Sequence, residues 1–118
     1  MLACKSIRIK SVDVLELVER EVAALRTLVG CRNVVQWTPD VAFDTDRLTI
    51  RLHMEYYPDG DLDGLIESHS HPTSTPVPKD TVTQVFCCLA MALLDCHDRG
   101  ICHRDIKPAN GTSSGPVI

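Results

Sequence analysis

Residues Gly100 to Asn110, GICHRDIKPAN, gather a His-Arg-Asp triplet, a lysine two positions on, a proline and a closing asparagine. Asp105 at the centre is a candidate catalytic carboxylate, which needs neighbours that fix its position and its charge. Just upstream, CHDRGICH (Cys96 to His103) offers two cysteines and two histidines and raises zinc as a second chemistry. Four ligands packed so closely leave little chain to wrap a tetrahedron, and no Cys-x-x-Cys spacing is present, which argues against a zinc site. The other cysteines, Cys4, Cys31, Cys87 and Cys88, read with Cys96 and Cys102 as reduced thiols, because MLACKSIRIK has no signal-peptide core.

A further carboxylate stands out by its placement. From Val12 to Val29, Val14, Leu17, Val18, Leu25 and Leu28 repeat at helical spacing, and Gly30 supplies a stop. At ~100° per residue, Glu21 falls near the middle of that apolar stripe. A carboxylate directed there needs a cation or several donors. Lys5, in the β-prone stretch Leu2 to Ile9, can meet it if that strand packs on the helix. The alternatives are that Glu21 snorkels past its neighbours or that Lys5 is a solvated lysine.

Other elements must position these groups. Val41 to Asp44 and Leu48 to Met54 read as an antiparallel hairpin turning at Thr45, Asp46 and Arg47, with Leu48, Ile50, Leu52 and Met54 on its buried face. Pro58 and Gly60 interrupt regular structure before a short helix over Leu62 to Ser68, and the proline-rich stretch Ser68 to Lys79 reads as a loop. A second long helix is predicted from Thr81, paired with Gln84 as a capping box, with Val82, Val85, Phe86, Leu89, Leu93 and Cys96 as its stripe and Gly100 as its end. GICHRDIKPAN therefore follows a well-anchored helix, a usual place for catalytic side chains. After Asn110 the chain is polar and turn-rich, without periodicity.

Composition narrows the classes of partner. With 118 residues and 44% hydrophobic content, one modest core is the expectation, a single domain or part of one. The formal charge of −4 and the absence of a Lys/Arg cluster disfavour nucleic acid and anionic membrane as partners, and no apolar run is long enough to span a bilayer. An intracellular location, cytoplasmic or nuclear, is expected.

HRDIKPAN resembles the catalytic loop of eukaryotic protein kinases, and lysine followed by proline is similar to the serine/threonine type. The resemblance implies that Asp105 accepts or orients the proton of the attacking hydroxyl, that Lys107 offsets charge on the transferred phosphoryl group, and that Asn110 binds magnesium. It makes His103 the backbone-organising histidine and Arg104 the arginine that pairs with an activation-loop phosphate. MEYYPDGDL resembles the fifth strand and hinge: Met54 takes the gatekeeper position, the backbones of Glu55 and Tyr57 would meet the adenine edge, and Asp61 would meet ribose or a basic substrate side chain. EVAALRTLVGCRNVV resembles the helix with the ion-pairing glutamate, Glu21, and Leu-Ala-Cys-Lys makes Lys5 its phosphate-contacting lysine.

The implied fold is α+β: a protein kinase-like two-lobe fold, truncated. Residues 1–54 would be part of the small β-rich lobe with one helix, 55–60 the hinge and 61–110 the start of the helical large lobe, with 111–118 a non-matching tail. The implied function is ATP- and Mg2+-dependent phosphorylation of serine or threonine hydroxyls on a protein substrate. The sequence contains no Gly-rich GxGxxG ahead of Lys5 and no Asp-Phe-Gly after Asn110, so this chain alone is expected to lack turnover. The alternative is a non-catalytic, kinase-derived protein-binding module, with a partner covering the exposed parts of its core.

Overall fold

A computed structural model describes residues 1–113, 115, 116 and 118. The chain divides into two compact units, one formed by Met1–Gly30 with Gln36–Tyr56, the other by Cys31–Val35 with Tyr57–Ile118.

The first unit is a three-stranded antiparallel sheet with one helix. Strand β1 (Leu2–Arg8) and strand β2 (Trp37–Asp44) flank β3 (Thr49–Glu55), giving the order β1-β3-β2. The alternation read along β3 puts Ile50 and Leu52 on its buried face. Helix α1 (Val12–Thr27) lays Val18, Val22 and Leu25 on them, with Ile7 and Ile9 completing the core. Ser11 caps the helix by accepting the Val14 N–H at 3.4 Å, and Gly30, at φ 80°, follows its end.

Three expectations for this unit need correction. Leu17, expected on the buried stripe, is 62% exposed, because the face that packs is centred on Val18, Val22 and Leu25 and leaves Leu17 at its margin. Leu48, expected on the buried face of the hairpin, is an exposed turn residue at φ 47°, beside an Asp44 carboxylate that accepts the Arg47 N–H at 3.1 Å. The second strand begins at Trp37 rather than Val41, and its register with β3 shifts between Trp37 and Val41. Pro39 lies in that interval; a residue with no N–H to give suits an irregular stretch of ladder, and its presence hides the strand from a pattern reading.

In the second unit, α2 (Leu62–His69) is capped by Asp61, whose Oδ1 accepts the Gly64 N–H at 2.8 Å. Helix α3 (Lys79–Asp98) starts earlier than expected, and its cap is Pro78, with no side-chain hydrogen bond. The capping box assigned to Thr81 and Gln84 does not form. Proline pre-sets the entering backbone, and the Val82 N–H already donates to the Pro78 carbonyl at 3.1 Å, so Thr81 lies inside the first turn. The helix ends as Gly100 implied: at φ 71° it donates to the His97 carbonyl, and the Ile101 N–H donates to that of Cys96, closing a Schellman motif.

Ala92 and Cys96 form the buried side of α3, whereas Val82 and Phe86, expected in its buried stripe, are 41% and 66% exposed. The segment after Asn110 is more engaged than its polar composition suggests. Thr112 forms a bridge with Asp61, the Ser113 hydroxyl donates to the Asp59 carbonyl at 2.8 Å, and buried Ile118 exchanges backbone hydrogen bonds with Asn33 and Val35. Ser114 and Val117 of that tail lie outside the described residues.

Candidate active site

The Schellman end of α3 delivers the chain directly into the His-Arg-Asp segment. Arg104 sits at φ 66°, a left-handed conformation that costs a non-glycine residue roughly 1–2 kcal/mol. The next amide, of Asp105, then donates to His103 Nδ1 at 3.3 Å. Pro108 opens a single helical turn, Pro108–Asn110, closed by the Asn110 N–H on the Lys107 carbonyl at 3.0 Å. That turn brings the Asn110 carboxamide back over Asp105.

The resulting cluster is tight for an exposed loop. Asn110 Nδ2 donates to the Asp105 carbonyl at 2.8 Å and to Oδ2 at 2.9 Å, while Lys107 Nζ stands 3.1 Å from the same Oδ2. The Asn110 hydrogen bond, then that of Lys107, holds the Asp105 carboxyl below the usual carboxylate range. Asp105 is therefore kept ionised and oriented, the state in which a carboxylate can accept a proton. Its contact with Asn110 is not legible in the sequence, because nothing in the spacing says that the turn after Pro108 folds the amide back.

The first unit holds the other pair singled out. Lys5 Nζ lies 2.5 Å from Glu21 Oε1, joining β1 to α1 across sixteen positions of sequence. Glu21 is part-exposed at the edge of the apolar face, and the lysine stem reaches over to it. Met54 is part-buried in β3, opposite Ala3 and Trp37, and the Glu55 N–H donates to the Gln36 carbonyl at 2.9 Å. In the second unit, Asp61 is engaged as the α2 cap, and the Tyr57 ring lies so close over Gly115 that a β-carbon there would collide with it.

Among the described residues no group of three or more His, Cys, Asp or Glu side chains could hold a metal ion. Within CHDRGICH, Cys96 is buried and Cys102 exposed, and burial, with Cys31 and Asp95 nearby, pushes the Cys96 thiol up. No helix among the described residues is long and apolar enough to cross a membrane.

One unit is thus a three-stranded sheet bracing a lysine–glutamate pair, and the other carries a helix-anchored loop bracing an Asp-Lys-Asn cluster. Residues 1–111 match the protein kinase domain model, and the chain belongs to that family. It is 34% identical over 112 residues to calcium-dependent protein kinase 10 of Arabidopsis thaliana, covering 92% of this chain and 19% of the relative. It is 35% identical over 96 residues to CBL-interacting serine/threonine-protein kinase 16 of the same plant, covering 81% and 19%. With serine/threonine-protein kinase SBK1 of Mus musculus it shares 35% over 91 residues, covering 77% and 20%. The chain thus spans about a fifth of the length of these relatives.

Proposed function

We propose that the chain carries part of the active site of a protein serine/threonine kinase, with ATP as phosphoryl donor and a protein hydroxyl as acceptor. The observation that carries this reading is the Asp105 carboxylate, held by Asn110 and Lys107 and kept ionised by them. In this assignment Asp105 orients the serine or threonine hydroxyl and takes its proton as the oxygen attacks. Lys107 turns from Asp105 to the phosphoryl oxygens, where its charge is worth most as negative charge redistributes. Lys5, fixed by Glu21, binds the nucleotide phosphates; Met54, Glu55, Tyr57 and Asp61 belong to the nucleotide and substrate side.

Magnesium does not fit these residues alone. With its amide nitrogen turned to Asp105, Asn110 offers one neutral oxygen, and hard cations prefer several oxygens with anionic ones among them. A polypeptide of these 118 residues, without Gly-rich loop or Asp-Phe-Gly, is expected to show no Asp105-dependent transfer from radiolabelled ATP.

Joining residues 1–111 to a Gly-rich loop and to an Asp-Phe-Gly-containing remainder from a complete protein kinase domain should give transfer. Asp105→Asn should then lower it by about 100-fold or more. A folded chimera that transfers equally well with the Asp105→Asn substitution would overturn the catalytic assignment. The second reading, a non-catalytic binding module, is favoured by the exposed apolar residues Val82 and Phe86 on α3 and Ile66 on α2.

A further inference from the structure

Two of the seven prolines follow a hydroxyl residue, Pro39 after Thr38 and Pro76 after Thr75, and the fold treats the two threonines in opposite ways. Thr38 lies in β2, part-buried, and its hydroxyl donates to the His53 carbonyl of β3 at 3.3 Å. Thr75 lies between α2 and α3, exposed and outside any helix or strand, and its hydroxyl makes no hydrogen bond among the described residues. The other hydroxyls of this connection are engaged. Ser68 donates to the Leu65 carbonyl at 2.8 Å, Ser70 to that of Ile66 at 2.7 Å and Ser74 to that of Ser68 at 3.3 Å, while the Thr73 hydroxyl meets His71 Nδ1 at 2.8 Å.

The backbone around Thr75 is set from both sides. Upstream, the Ser74 N–H closes a turn on the His71 carbonyl at 2.8 Å. Downstream, Pro76 and Pro78 restrict the residues before them, Thr75 and Val77, to extended conformations until α3 begins at Lys79. An extended segment with a free hydroxyl is what a phosphoryl-transfer enzyme needs from a protein acceptor, because the oxygen must reach the γ-phosphorus in line with the leaving group. Charge narrows the enzyme. No Lys or Arg stands between Arg51 and Lys79, and the stretch from Ser68 to Ser74 holds no carboxylate, so the distinctive neighbour of the hydroxyl is the proline directly after it. We propose that Thr75 is a phosphorylation site for a proline-directed serine/threonine kinase, and that the fold withholds Thr38 from the same enzyme. The chain is here the substrate of another enzyme, so the proposal is independent of the catalytic assignment. In the transfer, Thr75 Oγ1 bonds to the γ-phosphorus of ATP, the bond from that phosphorus to the β,γ-bridging oxygen breaks, ADP leaves, and the hydroxyl proton passes to the other enzyme's carboxylate. The phosphate adds about −1.5 to −2 charges at an exposed position and displaces no hydrogen bond of the described residues.

The test incubates the whole chain with ATP, Mg2+ and a purified mitogen-activated protein kinase, a proline-directed enzyme, and reads the modified residues by mass spectrometry. Thr75 should be phosphorylated at least about tenfold faster than Thr38, whose hydroxyl becomes available only when β2 opens. Free peptides of residues 33–46 and 68–82 should lose that preference, because neither is held in a sheet. Pro76→Ala should slow transfer to Thr75 by about tenfold or more, as loss of a specificity contact does, whereas Thr75→Ser should retain it. Cyclic-AMP-dependent protein kinase, which selects arginine ahead of the hydroxyl, should modify Thr75 more slowly than the proline-directed enzyme. No phosphate on Thr75, a rate unchanged by Pro76→Ala, or the same ratio of Thr75 to Thr38 in chain and peptides would overturn the proposal. So would faster transfer by the arginine-directed enzyme, or phosphate appearing on Thr75 when no kinase is added.

Discussion

Two lysine–carboxylate pairs, one in each compact unit, are chemically alike and held by opposite means. Lys5 and Glu21 are sixteen positions apart and meet only because β1 pairs with β3 and α1 packs on the same core. Lys107 and Asp105 are two positions apart and meet through the local path of the loop: a left-handed Arg104, a helical turn at Pro108 and an asparagine folded back. The first pair reports tertiary packing, whereas the second is assembled by its own loop. Disrupting the sheet should therefore abolish the first pair and spare the second.

Leu52→Ala is the strongest way to force that separation. Leu52 is fully buried at the centre of β3, with Lys5 opposite it on one side and Val41 on the other. Truncation removes packing and leaves a cavity, at a cost of about 2–5 kcal/mol. Urea denaturation followed at Trp37 should show the loss, and amide shifts of β1 should report release of Lys5. The Asp105 carboxyl should titrate as before; if it moves with Leu52, the loop is not self-assembled and the contrast fails.

The reciprocal perturbation is Gly115→Val. Any β-carbon at that position meets the Tyr57 ring, so ring or tail must shift, at about 1–3 kcal/mol. The hydrogen bonds of Ser113 to Asp59 and Gly60 should be the first affected. Hydrogen exchange should rise at Ser113 and Leu62, whose amides donate to Gly60 and Gly111, and stay unchanged in β3. Protection that survives at Ser113 would show the tail to be held by something other than the Tyr57–Gly115 contact.

The same contrast explains what could be read from the sequence. The α1 stripe, the β3 alternation and the Gly100 stop are periodic or local signals, and each appears in the fold, as does the pairing of Lys5 with Glu21. Exposure of Leu17, Leu48, Val82 and Phe86 was not legible, because periodicity says which residues share a face and not which face finds a neighbour. Pro39 masked the start of β2, and Pro78 took the capping position given to Thr81. The tail carried no periodicity at all. Its hold depends on single side chains, Ser113 on backbone carbonyls and Ile118 against residues 33–35, which pattern reading does not see.

Within the loop, Asn110→Ala tests whether the cluster sets the charge state of Asp105. The Asn110 hydrogen bond is the leading cause of the lowered carboxyl pKa, ahead of Lys107, so its removal should raise the value toward the ordinary range. Carboxyl 13C shifts against pH give the direction directly. The sign for the intact chain follows from the same depression: the favourable contribution of ionised Asp105 is fully present above the unfolded-state pKa and is lost as pH falls through the lower folded value. A titration unmoved by Asn110→Ala, with Lys107→Met raising it instead, would shift the principal role from the amide to the lysine.

The smallest effect expected is on stability from the pair that depends most on the fold. Lys5 and Glu21 keep side-chain exposures of 49% and 36%, so water screens them and the two chains lose rotamer freedom when they pair. A double-mutant cycle with Lys5→Met and Glu21→Gln should give a coupling of at most about 1 kcal/mol, shrinking as salt is raised. The distance between them is short, yet a contact at half-exposed positions contributes orientation more than stability: it fixes where the ammonium stands relative to β1. A coupling of about 3 kcal/mol or more would mean that the pair is effectively desolvated in solution, and that Glu21 is held in the apolar face of α1 rather than at its edge.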